Sequence, residues 1–246
     1  MTQSVEIKSN GQEPISLECD SVIFFDGRRG TVRSSLIINS LELGTLGYDQ
    51  YRFVARRTKQ SSALVRRHIF KLCRNMWLAG DKDETECYIV PVFARVLRGG
   101  ELLRILTEAL ATYSDVSPSR ICVELSADIL YEDLESFAAE IERIRSFGVA
   151  VAIGELGDEF CPVFRLTSIP FDLALMHEYV TENMHTESGA RIATSLLEHL
   201  HAMGVRVVAP RLTSEREREL AREIGFDGCI GERINNDERE DDDADV

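Results

Sequence analysis

The sequence has no run of apolar residues approaching the ~20 that a membrane-spanning helix requires, so no transmembrane segment is expected. Residues 1–20 lack an apolar block between a basic start and a small-residue cleavage site, so no secretory signal is expected either. No Cys-x-x-Cys pair occurs. Cys19, Cys73, Cys87, Cys122, Cys161 and Cys229 are scattered over apolar runs. That scatter opposes a zinc framework and reads as reduced core thiols in a cytoplasmic protein. Also missing are a G-x-G-x-x-G turn and a P-loop, which disfavours a doubly wound nucleotide-binding sheet. Acids are nearly absent from one segment. Between residues 28 and 74 stand eleven basic residues and only Glu42 and Asp49, although the 246-residue chain carries a formal net charge of −14. Residues 237–245 hold seven acids and Arg239. An acidic chain lacks the broad basic footprint that phosphate-backbone binding needs, so nucleic acid is not an expected partner.

What is present is a rhythm. Short β-branched or apolar runs lie at residues 21–25, 35–39, 87–93, 121–125, 148–153, 171–176, 205–209 and 227–230. The first two flank the turn 26–30 and read as a hairpin. Pro91 is an unusual residue for the third run. Helical spacings fill residues 50–77, with a break expected near Ser61 and Ser62, and then 101–113, 131–147, 190–203 and 214–224, the last with Thr213 as a candidate N-cap. Strands alternating with helices imply a parallel sheet, and about eight such units suit an α/β TIM-type (β/α)8 barrel with an N-terminal hairpin strand. Residues 1–18 are expected to be a flexible lead-in, 19–234 the barrel domain, and 235–246 an acidic disordered tail.

The stretches 121–130, 147–157, 166–173, 203–209 and 225–231 match, in order and relative distance, the apolar pattern and turn glycines of one family. Over residues 20–234 the chain resembles an EAL domain, the barrel family whose active bacterial members hydrolyse cyclic diguanylate. Active members hold two divalent cations with acids and an amide at the strand C-termini, and the cations activate a water. By that resemblance the signature Glu-Ala-Leu segment reads Ser34, Ser35, Leu36, and the third-strand asparagine falls near Pro91. Glu124 survives, its companion position is Ala127, and the paired aspartates become Gly154 and Glu155. The Lys-Ile-Asp segment becomes Leu175, Met176 and His177. The last two motifs become residues 209–213 and Ile230 with Gly231.

The resemblance therefore implies a degenerate EAL-like domain that is not an enzyme and has no cofactor or metal. Glu124, Glu155 and His177 are the residual candidates at the barrel mouth. Together they are the donor types for one transition-metal ion, but the preferred reading takes the two acids as inherited mouth residues, solvated or paired with Arg95 or Arg211. Arg67, Lys71 and Arg74 recur at i, i+4 and i+7 on one helical stripe, which Arg52, Arg56 and Lys59 extend. Arg56, Arg67, Lys71 and Arg74 are taken as a partner-binding face, because so few acids in the segment can neutralise it. The expected function is a cytoplasmic regulatory protein–protein interaction module in motility or surface-attachment signalling, with an acidic protein as partner. The alternatives are a non-hydrolysing cyclic diguanylate receptor, which the lack of an arginine shortly after Leu36 disfavours, and a phosphodiesterase with a rebuilt site. Homodimerisation is left open.

Overall fold

The computed structural model describes residues 14–28, 30–40, 42–55, 58, 60–80, 86–157, 162–210, 212 and 214–234. Nine strands form one sheet: β1 (Ile15–Phe24), β2 (Thr31–Ser40), β3 (Gly44–Leu46), β4 (Cys87–Val92), β5 (Ile121–Ser126), β6 (Ala150–Leu156), β7 (Leu173–Met176), β8 (Arg206–Ala209) and β9 (Gly228–Ile234). Their order is β1-β9-β8-β7-β6-β5-β4-β2-β3, and β1 also pairs with β2, so eight strands close into a barrel with β3 appended outside the ring. β1 runs antiparallel to both of its neighbours, and the other pairs in the ring are parallel. The α/β barrel with a leading hairpin is thus the observed architecture.

Strand alternation builds two apolar layers. Val22, Phe24, Ile89, Cys122, Ala152, Leu173, Leu175 and Val208 fill the barrel interior. Outward residues such as Val90, Val123, Leu125, Val151, Ile153 and Val207 meet the surrounding helices. The helices are α1 (Tyr48–Ala55), α2 (Gln60–Ala79), α3 (Glu101–Thr112), α4 (Leu134–Ser146), α5 (Glu178–Asn183), α6 (Glu187–Ala202) and α7 (Glu215–Ile224). α3 shows why they form. Leu102, Ile105, Leu106, Ala109 and Leu110 recur at helical spacing and are all buried. Each large side chain so buried stabilises the fold by about 1.5–3 kcal/mol.

Several boundaries differ from the sequence expectation. β1 begins at Ile15, inside the expected lead-in, because Leu17 pairs with Leu36 and packs on the outer core. The helix break falls between Ala55 and Gln60 rather than at Ser61 and Ser62, and Ser61 is buried within α2. β3 and α5, of three and six residues, are too short to leave a periodic signal. α7 is capped by Ser214, whose hydroxyl accepts from the Glu217 N–H while the Glu217 carboxylate accepts from the Ser214 N–H. Thr213, Arg56, Lys59, Cys161, Arg211 and the tail from residue 235 lie outside the described residues. Pro91 does sit within β4, opposite Glu124 of β5. β2 pairs with β4 only as far as Ile89, so the missing Pro91 N–H breaks no bond to β2. At the seam between β1 and β9, Gly228 allows a close approach. A Cβ there would meet the Ile23 carbonyl oxygen at 2.5 Å.

Candidate functional site at the barrel mouth

Alternation along β2 decides which side chains enter the barrel. Val22 of β1 faces the interior and pairs with Thr31, so Thr31, Arg33 and Ser35 face inward while Val32, Ser34 and Leu36 face out. The sequence reading placed Ser34 at the lost signature carboxylate. In the structure Ser34 points away from the interior, and its hydroxyl lies 3.0 Å from Nε2 of His68 on α2. Arg33 is the residue that enters.

Arg33 reaches across to Glu124 on β5. Its Nε donates to Oε2 at 2.7 Å and its Nη2 to Oε1 at 2.9 Å, a bidentate pair that occupies both carboxylate oxygens. The pair is nearly dry, with side chains 19% and 6% exposed. Burial would lower the Arg33 guanidinium, but the charge and hydrogen bonds of Glu124 outweigh it and hold Arg33 above its ordinary range. Gly154 on β6, level with Ser126 in the ladder, makes the room. Any Cβ at that position would overlap the Glu124 carboxylate.

α1 lies over this pair. The Tyr48 ring stacks on Phe93 at 6.2 Å, and the Arg33 guanidinium lies 5.8 Å from the Tyr48 centroid. Burial, then the charge of Glu124, pushes the Tyr48 phenol up. Arg52, also on α1, ion-pairs with Glu155, which accepts a further bond from Ser126 at 3.1 Å. Glu155 has φ = 57°, a left-handed conformation that a non-glycine residue adopts only when its surroundings hold it there. Between these residues remains a cleft of about 20 Å³, lined by Tyr48, Arg52, Phe93, Ser126, Asp128 and Glu155. That is little more than the space of one water.

The residual candidates do not converge. Glu124 and Glu155 are each engaged by an arginine, Arg33 and Arg52, and among the described residues not by Arg95, while Arg211 lies outside those residues. Arg95 is exposed. His177 is the N-cap of α5, its Nδ1 accepting from the Tyr179 N–H at 3.1 Å. Among the described residues no group of three His, Cys, Asp or Glu side chains is placed to hold a metal ion. Divalent cations need several converging oxygens. Here Glu124 is taken by a guanidinium, and Pro91 and Gly154 bring no donor, so the described residues do not assemble a two-cation centre. Cys122, on the same strand face as Glu124, is a core thiol that burial pushes well up.

Beneath the mouth, burial and then the charge of Arg33 push His68 down to about 3. An unfolded histidine titrates near 6.5, so below that pH the unfolded chain binds the proton and the folded one does not. His68 therefore contributes stability that is fully present above pH 6.5 and is lost as pH falls toward 3. The expected loss approaches 1.4 kcal/mol per pH unit. Urea unfolding of wild type and His68→Gln from pH 7 to 4 checks this. The variant should show the shallower pH slope.

Of the partner-face residues, Arg67, Lys71 and Arg74 lie along α2. Arg67 and Arg74 are exposed, and Lys71 is half-buried. Arg66, beside them, pairs with Glu108 on α3. The exposed Trp77 and Leu78 continue the same face, with Trp77 6.1 Å from the Tyr113 ring.

A model of the EAL domain matches residues 42–236. An uncharacterized signalling protein of Caulobacter vibrioides is 27% identical over 122 residues, which is 49% of this chain and 15% of that protein. An uncharacterized protein of Azorhizobium caulinodans is 22% identical over 132 residues, 53% of this chain and 18% of the other. The chain thus spans less than one fifth of the length of these curated relatives. Among solved structures, the PaMucR phosphodiesterase in complex with c-di-GMP superposes with a TM-score of 0.80 at 17% identity, covering 92% of this chain and 94% of that one. The FimX EAL domain from Pseudomonas aeruginosa bound to c-di-GMP gives 0.79 at 15% identity, covering 89% and 88%.

Proposed function

The chain belongs to the EAL domain family, and on that premise we propose that it is a non-hydrolysing member that acts in cyclic diguanylate signalling as a protein-binding module. The observation that carries this reading is the Arg33–Glu124 pair. A resident guanidinium neutralises the interior acid that a cation would otherwise neutralise, and it is a fixed part of the chain. Arg52, Glu155 and Tyr48 then roof the pair, and the cleft they line is about 20 Å³. Without converging oxygen donors the site has no means to activate a water. The α2 face, basic and apolar together, is the surface through which the domain would engage an acidic protein. Cytoplasmic residence belongs to the same proposal.

A second reading has support of its own. Solved relatives of the same fold carry c-di-GMP, so the sequence expectation that the nucleotide does not bind is not favoured by them, and a receptor role stands beside the module. Two measurements separate the readings. Incubation with c-di-GMP and Mg²⁺ or Mn²⁺ is expected to leave the nucleotide intact, and accumulation of linear dinucleotide would refute the non-hydrolysing assignment. Calorimetric titration with c-di-GMP is expected to show no saturable heat. Saturation at micromolar concentration, lost in Arg52→Ala, would make the domain a receptor.

A further inference from the structure

We propose that residues 237–245 of this same chain dock on the basic stripe of α2, so that the partner-binding face is covered until an acidic competitor displaces them. This rests on the reading of α2 as an interaction face, and it names what occupies that face at rest. Charge complementarity comes first. Arg67 and Arg74 are exposed, and among the described residues neither meets an acid, whereas their neighbour Arg66 is satisfied by Glu108. Arg67 and Arg74, 7 residues apart, therefore share one side of α2 with no acid against either among the described residues. The chain's densest run of negative charge, seven acids and one arginine, is residues 237–245.

Topology brings the two together. β9 ends at Ile234, and Ile234 pairs with Cys19 of β1. α2 packs against β1. β9 therefore ends one strand from the helix carrying the stripe. The 12 residues after Ile234 can extend about 40 Å, while the whole of α2 is about 30 Å long. The segment can thus reach Arg74 and Arg67 without disturbing the barrel. Tethering gives it an effective concentration on the order of millimolar, enough for a contact that would be weak between separate chains. It also keeps the contact reversible, since exposed ion pairs contribute only ~0.2–1 kcal/mol each.

The test uses the only tryptophan of the chain. Trp77 is 49% exposed and lies three residues beyond Arg74, on the flank of the stripe. Docked acidic residues would shield it from acrylamide, a neutral quencher that does not respond to the protein's charge. Removing residues 237–246 is expected to raise the acrylamide quenching constant roughly twofold at low salt. The full-length Arg67→Glu/Arg74→Glu variant should show the same rise, and combining it with the truncation should add nothing. In 1 M NaCl, where the screening length is about 3 Å, the full chain should match the truncated one. Circular dichroism of each variant should stay unchanged, because both arginines are on the surface. The proposal is overturned if truncation leaves Trp77 quenching as it was, if truncation and charge reversal add, or if the shielding of the full chain disappears on dilution, which would place the acids of a second copy on the stripe. The experiment contains no partner and no nucleotide. Its failure would remove the resting occupant and leave the non-hydrolysing assignment, read by dinucleotide release, where it stood.

Discussion

Replacing Arg33 by Met is expected to cost about 3–5 kcal/mol of folding stability, because it leaves the Glu124 carboxylate buried and unpaired. Glu124 is 5% exposed, and both of its oxygens rely on the same guanidinium. Glu124→Leu should be costly for the converse reason, stranding a cation 91 residues away in sequence but 2.7 Å away in space. The double variant Arg33→Met/Glu124→Leu should lie close to wild type or above it, since apolar groups of similar volume avoid the desolvation of both ions. Urea unfolding of the four proteins closes the cycle. A pair worth less than about 1 kcal/mol would be an ordinary surface bridge and would contradict the dry geometry described above. Arg33→Met should gain no hydrolysis either, because Pro91 and Gly154 still supply no oxygen.

Gly154→Asp, which restores by resemblance one aspartate of the family, is expected to destabilise the barrel by about 3 kcal/mol or more. The new Cβ overlaps the Glu124 carboxylate, which both hydrogen bonds from Arg33 hold in that place. Overpacking alone costs ~1–3 kcal/mol, and displacing Glu124 from Arg33 adds the penalty of a broken buried pair. Adding Glu124→Ala should recover part of the loss, because it opens the space and lets the introduced aspartate take Arg33. Thermal unfolding of the single and double variants measures the rescue. If Gly154→Asp unfolds as wild type does, the glycine is not what accommodates Glu124.

The barrel was legible because its signal is repeated. From β4 to β9 the apolar strands begin 22–34 residues apart with helical stretches between them, which points to one architecture even when individual ends are displaced. Glu124 and Glu155 were legible as mouth residues because each lies on or at the end of a strong strand. Their partners were not. Arg33 and Glu124 belong to strands far apart in the chain, and no local spacing relates them. The inward residue of β2 turned on a register of one: Ser34 and Arg33 are neighbours, yet the pleat sends one to His68 and the other to Glu124. Arg52 was counted with the basic surface. It became a mouth residue because the helix break falls after Ala55 and separates α1 from α2. The weak apolar period of residues 48–62 gives no cue to that break.

β1 is the single strand that touches both the early and the late parts of the ring, pairing Cys19 with Ser34 on one side and with Ile234 on the other. The hairpin of β1 and β2 can form by itself, but its second edge must wait for β9, far along the chain. Until then the backbone groups along that edge lie open, and an open edge recruits any strand that comes near. The ring is thus a lock that β9 shuts. The close fit at Gly228 against Ile23 and Phe24 is where it shuts. A side chain placed there would press on the β1 backbone and lengthen the time the folding chain spends with its seam exposed.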